Sequence, residues 1–251
     1  RHVLADHDGL GFGRAAGDHV RFDDLDVAVG RRVGPAVVFD CDGVLVEPTD
    51  TAVLVDAVVD AFDAFGVDID RSVARRSVTE DEVPTETARE HGIDPEAFWH
   101  YRELTASLAQ QAHVRAGGKP VYDDVAALAD LSCPIGLVSN NQHATIEFLL
   151  AFHDLPEFET ARGRRPTLSG AAARKPEPEY VEAAVADLGV EDALYVGDSE
   201  KDVVAAQRAG IDAAYLRRDH VADVTLSAEP TFEVPDLERL VERATATERR
   251  V

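Results

Sequence analysis

An α/β fold, a doubly wound parallel sheet with an α-helical unit inserted after its first strand, follows from three observations. From residue 121 onward, short apolar runs alternate with amphipathic helical stretches, the pattern of repeated βαβ units. The apolar run Ala36-Val37-Val38-Phe39 stops abruptly at Asp40-Cys41-Asp42-Gly43, as a buried strand does where it meets a functional loop. The next clear strand end, Ser139, comes 99 residues after Asp40, far more than a plain crossover needs.

Residues 1–34 form an N-terminal extension with weak signals. Gly9, Gly11, Gly13 and Gly17 break any helix, and Arg21 to Val29 offers at most one strand. Asp6-His7-Asp8-Gly9 copies the later Asp-x-Asp-Gly but has no apolar strand before it. It reads as an accident of an aspartate-rich chain.

The α/β core comprises residues 35–48 and 119–251, and residues 49–118 are the insert. In the insert, Thr49 or Asp50 caps a helix through Val53, Val55, Val58, Val59, Phe62 and Phe65, stopped by Gly66. Arg71 to Ser77 and Asp81 to His91 read as helical. Asp94-Pro95 opens a long helix through Phe98, Tyr101, Leu104, Leu108 and Ala112, and Gly117-Gly118-Lys119-Pro120 ends it. The insert leaves from the carboxyl end of the first strand, where a lid belongs.

In the rest of the core, helices are expected over Tyr122 to Leu131, Gln142 to Phe152, Pro176 to Leu188, Asp202 to Ala209 and Leu237 to Ala246. Strands are expected at Pro134 to Ser139, Phe158 to Ala161, Leu194 to Val196, Ala213 to Leu216 and Thr231 to Val234. The helix after Ser139 would be capped by Asn140 or Asn141.

The net charge is −23, from 48 acidic and 25 basic residues. That excludes the basic footprint of a nucleic-acid binder and disfavours an anionic membrane surface. No apolar stretch has the length of a membrane span, and no signal peptide is visible. Cys41 and Cys133 have neither disulfide-framework nor metal-ligand spacing, so reduced thiols and a cytoplasmic setting are expected. Only Lys119, Lys175 and Lys201 are lysines, against 22 arginines. The acidic, lysine-poor balance resembles the proteins of salt-loving microbes.

Three later positions answer Asp40 and Asp42 at the same sheet edge. Ser139, with Asn140, ends a strand where a hydroxyl and main-chain N–H groups suit an anion. Lys175 precedes a helix start, where its ammonium would neutralise an anion and keep carboxylates charged. Asp198 ends a strand and Asp202 lies in the first turn of the next helix. With Asp40 they gather hard oxygen ligands of the kind Mg²⁺ takes. Each alone is equally well a cap or a solvated charge.

Together, Asp40-Cys41-Asp42-Gly43-Val44, Ser139-Asn140, Lys175-Pro176 and Gly197-Asp198-Ser199-Glu200-Lys201-Asp202 resemble, in order and spacing, the four motifs of the haloacid dehalogenase superfamily. The resemblance spans roughly Ala36 to Ala228 and is greatest to phosphoglycolate-phosphatase-like hydrolases. It implies that residues 49–118 are a helical (C1-type) cap. Asp40 would be the nucleophile that becomes an aspartyl-phosphate, and Asp42 the acid and base. Ser139, Asn140 and Lys175 would bind the phosphoryl group. Asp40, Asp198, Asp202 and the main-chain carbonyl of Asp42 would form the Mg²⁺ site. The substrate would be a small phosphorylated metabolite. Dehalogenation is disfavoured because dehalogenases of the family lack the second aspartate. Phosphonate cleavage needs a cap lysine, and residues 49–118 contain none, with Lys119 at the boundary. A sugar-phosphate mutase and a non-catalytic binding protein remain as alternatives.

Overall fold

The computed structural model describes residues 36–248. The N-terminal extension, with its possible strand and the Asp6-His7-Asp8-Gly9 copy, lies outside the described residues. The strands are β1 (Ala36–Phe39), β2 (Ile135–Gln142), β3 (Thr160–Arg164), β4 (Ala193–Gly197), β5 (Asp212–Leu216) and β6 (Phe232–Val234). They form one six-stranded sheet in the order β3-β2-β1-β4-β5-β6, with every pairing parallel. The order reverses direction at β1, between β2 and β4. Open α/β sheets bind ligands at such a switch, beyond the carboxyl ends of the strands.

Parallel strands covered on both faces become continuous apolar runs, and Ala36 to Phe39 and Ala193 to Val196 are buried throughout. One core cluster joins Phe39, Leu137, Ile146, Leu194, Val196 and Leu216; a second, on the opposite face, joins Val38, Val138, Val181, Tyr195 and Val203.

Four α-helices lie between β1 and β2: α1 (Thr51–Asp63), α2 (Arg71–Thr79), α3 (Thr85–Glu90) and α4 (Pro95–Arg115). The amino ends of α1 and α4 are set as the sequence suggests. Asp50, Asp70 and Asp94 each accept a main-chain N–H at the start of α1, α2 and α4. Val55, Val58, Phe62, Ala74, Ala88 and Phe98 make an apolar cluster of their own, with the Phe62 and Phe98 rings 4.0 Å apart. Helix α3 starts at Thr85, later than the expected Asp81. Pro84 precedes it, and Asp81 takes a left-handed backbone (φ 53°) that no helix accepts.

The remaining helices are α5 (His143–Phe152), α6 (Leu168–Ala172), α7 (Glu179–Leu188), α8 (Glu200–Ala209) and α9 (Leu237–Glu248). A 3₁₀ helix, Asp123–Asp130, replaces the helix expected after Tyr122. Strand β2 runs on past Ser139 to Gln142, because Gln142 still pairs with Arg164 of β3. Asn140 and Asn141 therefore do not cap α5; they lie in the strand, and both side chains are spent on the site. Among the described residues, no helix is long and apolar enough to cross a membrane.

Candidate active site

β1 delivers Asp40 to the switch point. The Asp40 N–H donates to the Val196 carbonyl at 2.9 Å, fixing its height against β4. The chain then turns tightly, and the Cys41 carbonyl accepts from the N–H groups of Leu45 at 2.9 Å and Val46 at 3.1 Å. Gly43 has φ 78° in this turn. A Cβ at Gly43 would fall inside the Asp198 carboxylate and against the His220 ring, so both the backbone and the space demand glycine.

Lys175 is the hub of the site. Its ammonium, 2% exposed as a side chain, lies 3.0 Å from Asp40 Oδ2 and 2.6 Å from Asp202 Oδ1. It also donates to the Tyr195 hydroxyl at 2.7 Å, and that hydroxyl donates to the Val138 carbonyl at 2.7 Å. Asn140 holds the lysine's own main chain. Its Oδ1 accepts the Lys175 N–H at 2.8 Å and its Nδ2 donates to the Lys175 carbonyl at 2.9 Å. The Asn140 side chain thus serves through Lys175 rather than being left free for a phosphoryl oxygen. Ser139 is buried at the same edge, and its Oγ accepts the Asn141 N–H at 3.1 Å.

Asp40, Asp198 and Asp202 each bring a carboxylate oxygen within 4.8 Å of the others. Burial pushes the Asp40 carboxyl up to about 7; Lys175 opposes the rise and the Asp202 and Asp198 charges add to it. Burial also pushes Asp198 up, against a hydrogen bond of 2.6 Å from His220 Nε2. Asp202 Oδ2 accepts from the Ser199 N–H at 2.9 Å and the Ser199 hydroxyl at 2.6 Å, a capping box that opens α8. Three hard oxygen donors, crowded and short of positive charge, fit a divalent cation such as Mg²⁺.

Asp42 sits beside this set. Its Oδ1 is ion-paired with Lys119, and its Oδ2 accepts from Asn141 Nδ2 at 2.8 Å. Every site residue expected from the sequence thus lies at the carboxyl edge of β1, β2 or β4 or directly against it. Sequence reasoning missed Asn141, Tyr195, His220 and Gln110, and placed no role on Lys119 as a partner of Asp42. Tyr195 reads as one more core residue of β4, and His220 lies in a short 3₁₀ turn, Asp219–Val221, with no ligand spacing to mark it. The scarcity of lysine was the available signal for Lys119.

On the long helix α4, Trp99 is buried, with the guanidiniums of Arg102 and Arg164 at 5.1 and 5.4 Å from its ring. Arg164 binds Glu103 in a two-point pair at 2.7 and 2.8 Å, and Arg102 adds a third contact at 2.6 Å. Tyr101 instead faces outward and packs edge-on against Phe65, 5.6 Å away.

Known proteins resemble this chain in sequence and in fold. The sequence model of the haloacid dehalogenase-like hydrolases matches residues 35–210. The chain is 29% identical over 193 residues to a phosphoglycolate phosphatase of Photorhabdus laumondii, covering 70% of this chain and 76% of that one. To the phosphoglycolate phosphatase of Rhodobacter capsulatus it is 28% identical over 187 residues, covering 71% and 82%. Among solved structures, CbbY from Rhodobacter sphaeroides in complex with phosphate superposes with a TM-score of 0.61 at 19% identity, covering 82% and 95%.

Proposed function

This chain belongs to the haloacid dehalogenase-like hydrolases, and on that premise we propose that it is a Mg²⁺-dependent phosphatase that hydrolyses a small phosphate monoester through an aspartyl-phosphate on Asp40. The observation that carries this reading is the meeting of three carboxylates within 4.8 Å with one buried ammonium, 3.0 Å from the nucleophile. The phosphatase names of the sequence relatives support it.

In the first step, an Asp40 carboxylate oxygen attacks phosphorus, the ester P–O bond breaks, and Asp42 gives its proton to the leaving oxygen. In the second, Asp42 takes a proton from water as that water attacks the phosphorus of the aspartyl-phosphate, releasing inorganic phosphate and restoring Asp40. Lys175 and Ser139 hold phosphoryl oxygens, and Asn140 keeps Lys175 in place. When bound by Asp40, Asp198, Asp202 and the main-chain carbonyl of Asp42, Mg²⁺ supplies charge neutralisation at the transferring phosphoryl group.

Residues 49–118 act in this account as a cap that keeps bulk water away. Contacts between this segment and the core support that role. Asp81 pairs with Lys201, Glu96 accepts the Leu168 N–H at 3.3 Å, and His100 lies 3.3 Å from the Pro166 carbonyl.

The test is release of inorganic phosphate from a panel of small esters, including glycolate, glycerol and sugar phosphates, with Mg²⁺ or with EDTA. The expected result is release that needs Mg²⁺. Conversion of a sugar phosphate to its isomer without net release would overturn the reading in favour of a mutase.

A further inference from the structure

The second linker of the helical insert carries a buried lysine where its backbone favours glycine. Lys119 follows Gly117 and Gly118 and has φ 60°, the left-handed region that side chains rarely enter. Its side chain is fully buried, although lysine is seldom buried without a partner. Here the partner is Asp42, and the ammonium also donates to Thr49 Oγ1 at 2.7 Å.

Thr49 opens the insert and Lys119 follows its last residue, so this one ammonium joins both connections between insert and core. The linkers are also bonded directly. The Glu47 N–H donates to the Pro120 carbonyl at 2.9 Å, and the Tyr122 N–H to the Leu45 carbonyl at 3.1 Å. Gln110 of α4 completes the circuit. Its Oε1 accepts from Thr49 Oγ1 at 2.8 Å and from Asn141 Nδ2 at 2.9 Å, and that same Asn141 amide donates to the other oxygen of Asp42. Both oxygens of Asp42 are therefore held by groups outside its own loop, one on a linker and one braced by the insert.

We propose that Lys119 is a positioning residue: it fixes the orientation of the Asp42 carboxylate and ties that orientation to the two linkers from which residues 49–118 hang. The inference rests on reading Asp42 as the acid and base of the proposed phosphatase. Any movement of the insert relative to the core bends these linkers, so it also shifts the contact that orients Asp42. A lysine placed only to fill space would gain nothing from a strained backbone and a charged terminus in a dry site.

The test separates a role through Asp42 from a merely structural one. Nitrophenolate leaves without a proton, whereas an alkoxide needs one, so kcat/KM is compared for p-nitrophenyl phosphate and for whichever alkyl phosphate of the panel is turned over fastest. Lys119→Met should lower kcat/KM for the alkyl ester about tenfold more than for the nitrophenyl ester. In an Asp42→Asn background it should cost almost nothing further, because residues acting as a unit are not additive. Equal losses on the two esters, or full additivity, would overturn the proposal. If Lys119→Met does not fold, Lys119→Arg keeps the charge but not the geometry, and should show the same leaving-group dependence at smaller size. Loss of activity in Asp40→Asn checks the underlying phosphatase reading independently.

Discussion

Asn140 grips the main chain of Lys175 from both sides, accepting its N–H at 2.8 Å and donating to its carbonyl at 2.9 Å. The ammonium at the far end of that lysine balances Asp40 and Asp202. An amide on β2 thus sets the position of the charge that any bound phosphoryl group would meet.

Replacing Asn140 with Ala removes both bonds and leaves the Lys175 main-chain groups unpaired. The expected cost is about 1–3 kcal/mol of stability by urea unfolding, with kcat/KM down roughly 10–100-fold for a charge displaced by about an ångström. Asn140→Asp, which keeps the acceptor and loses the donor, should fall between Ala and the parent. Wild-type kinetics in Asn140→Ala would remove the clamp from the account.

Gly43→Ala should fold less stably and lose cation affinity. The new Cβ displaces the Asp198 carboxylate and the His220 ring, and the left-handed backbone adds about 1–2 kcal/mol of strain. Titration calorimetry with Mg²⁺ would show weakened binding. Unchanged affinity would mean that Asp198 contributes nothing to the proposed cation site.

Glu103 makes stability depend on pH. Burial pushes its carboxyl up, but the Arg164 and Arg102 guanidiniums outweigh burial and hold it below the ordinary glutamate value of 4.5. A folded-state pKa lower than the unfolded one stabilises the protein above the unfolded value, and that contribution is lost as pH falls through the folded one. The protein should therefore lose stability steadily below about pH 4.5, where the unfolded carboxyl begins to take up its proton. In Glu103→Gln this part of the pH dependence should vanish, at a cost of about 3–5 kcal/mol near neutrality, because two buried guanidiniums lose their counter-charge. Melting curves from pH 3 to 7 for both proteins give the answer.

A net charge of −23 makes the surface repel itself in dilute buffer. At molar salt the screening length shrinks to about 3 Å, so Tm should rise steeply between dilute buffer and molar KCl. A flat response would show that the acidic excess is spread too thinly to matter.

The fold and the acidic half of the site were legible because they rest on short-range signals. Asp40 and Asp198 each follow an apolar strand, and Asp202 sits in the first turn of α8, so strand ends and helix starts alone bring them to one sheet edge. What the sequence hid depends on contacts between distant positions. Ser-Asn-Asn-Gln reads as a strand end followed by a helix start, yet β2 continues through it because Gln142 pairs with Arg164. Asn140 reads as a cap, yet its amide meets a residue 35 positions away. Lys119 stood out for its rarity, but its partner, Asp42, lies 77 positions back, and no local pattern joins them. The Glu103 cluster was invisible for the same reason, since Arg164 comes from a strand 61 residues later.

The most direct measurement is phosphate release by Asp40→Asn in the presence of Mg²⁺. The substitution keeps the size of the side chain and removes its nucleophilic charge. We predict a folded protein with phosphatase activity reduced to background, on the nitrophenyl ester and on the best alkyl ester alike. Activity in Asp40→Asn equal to that of the parent would contradict the assignment of Asp40 and, with it, the proposed mechanism.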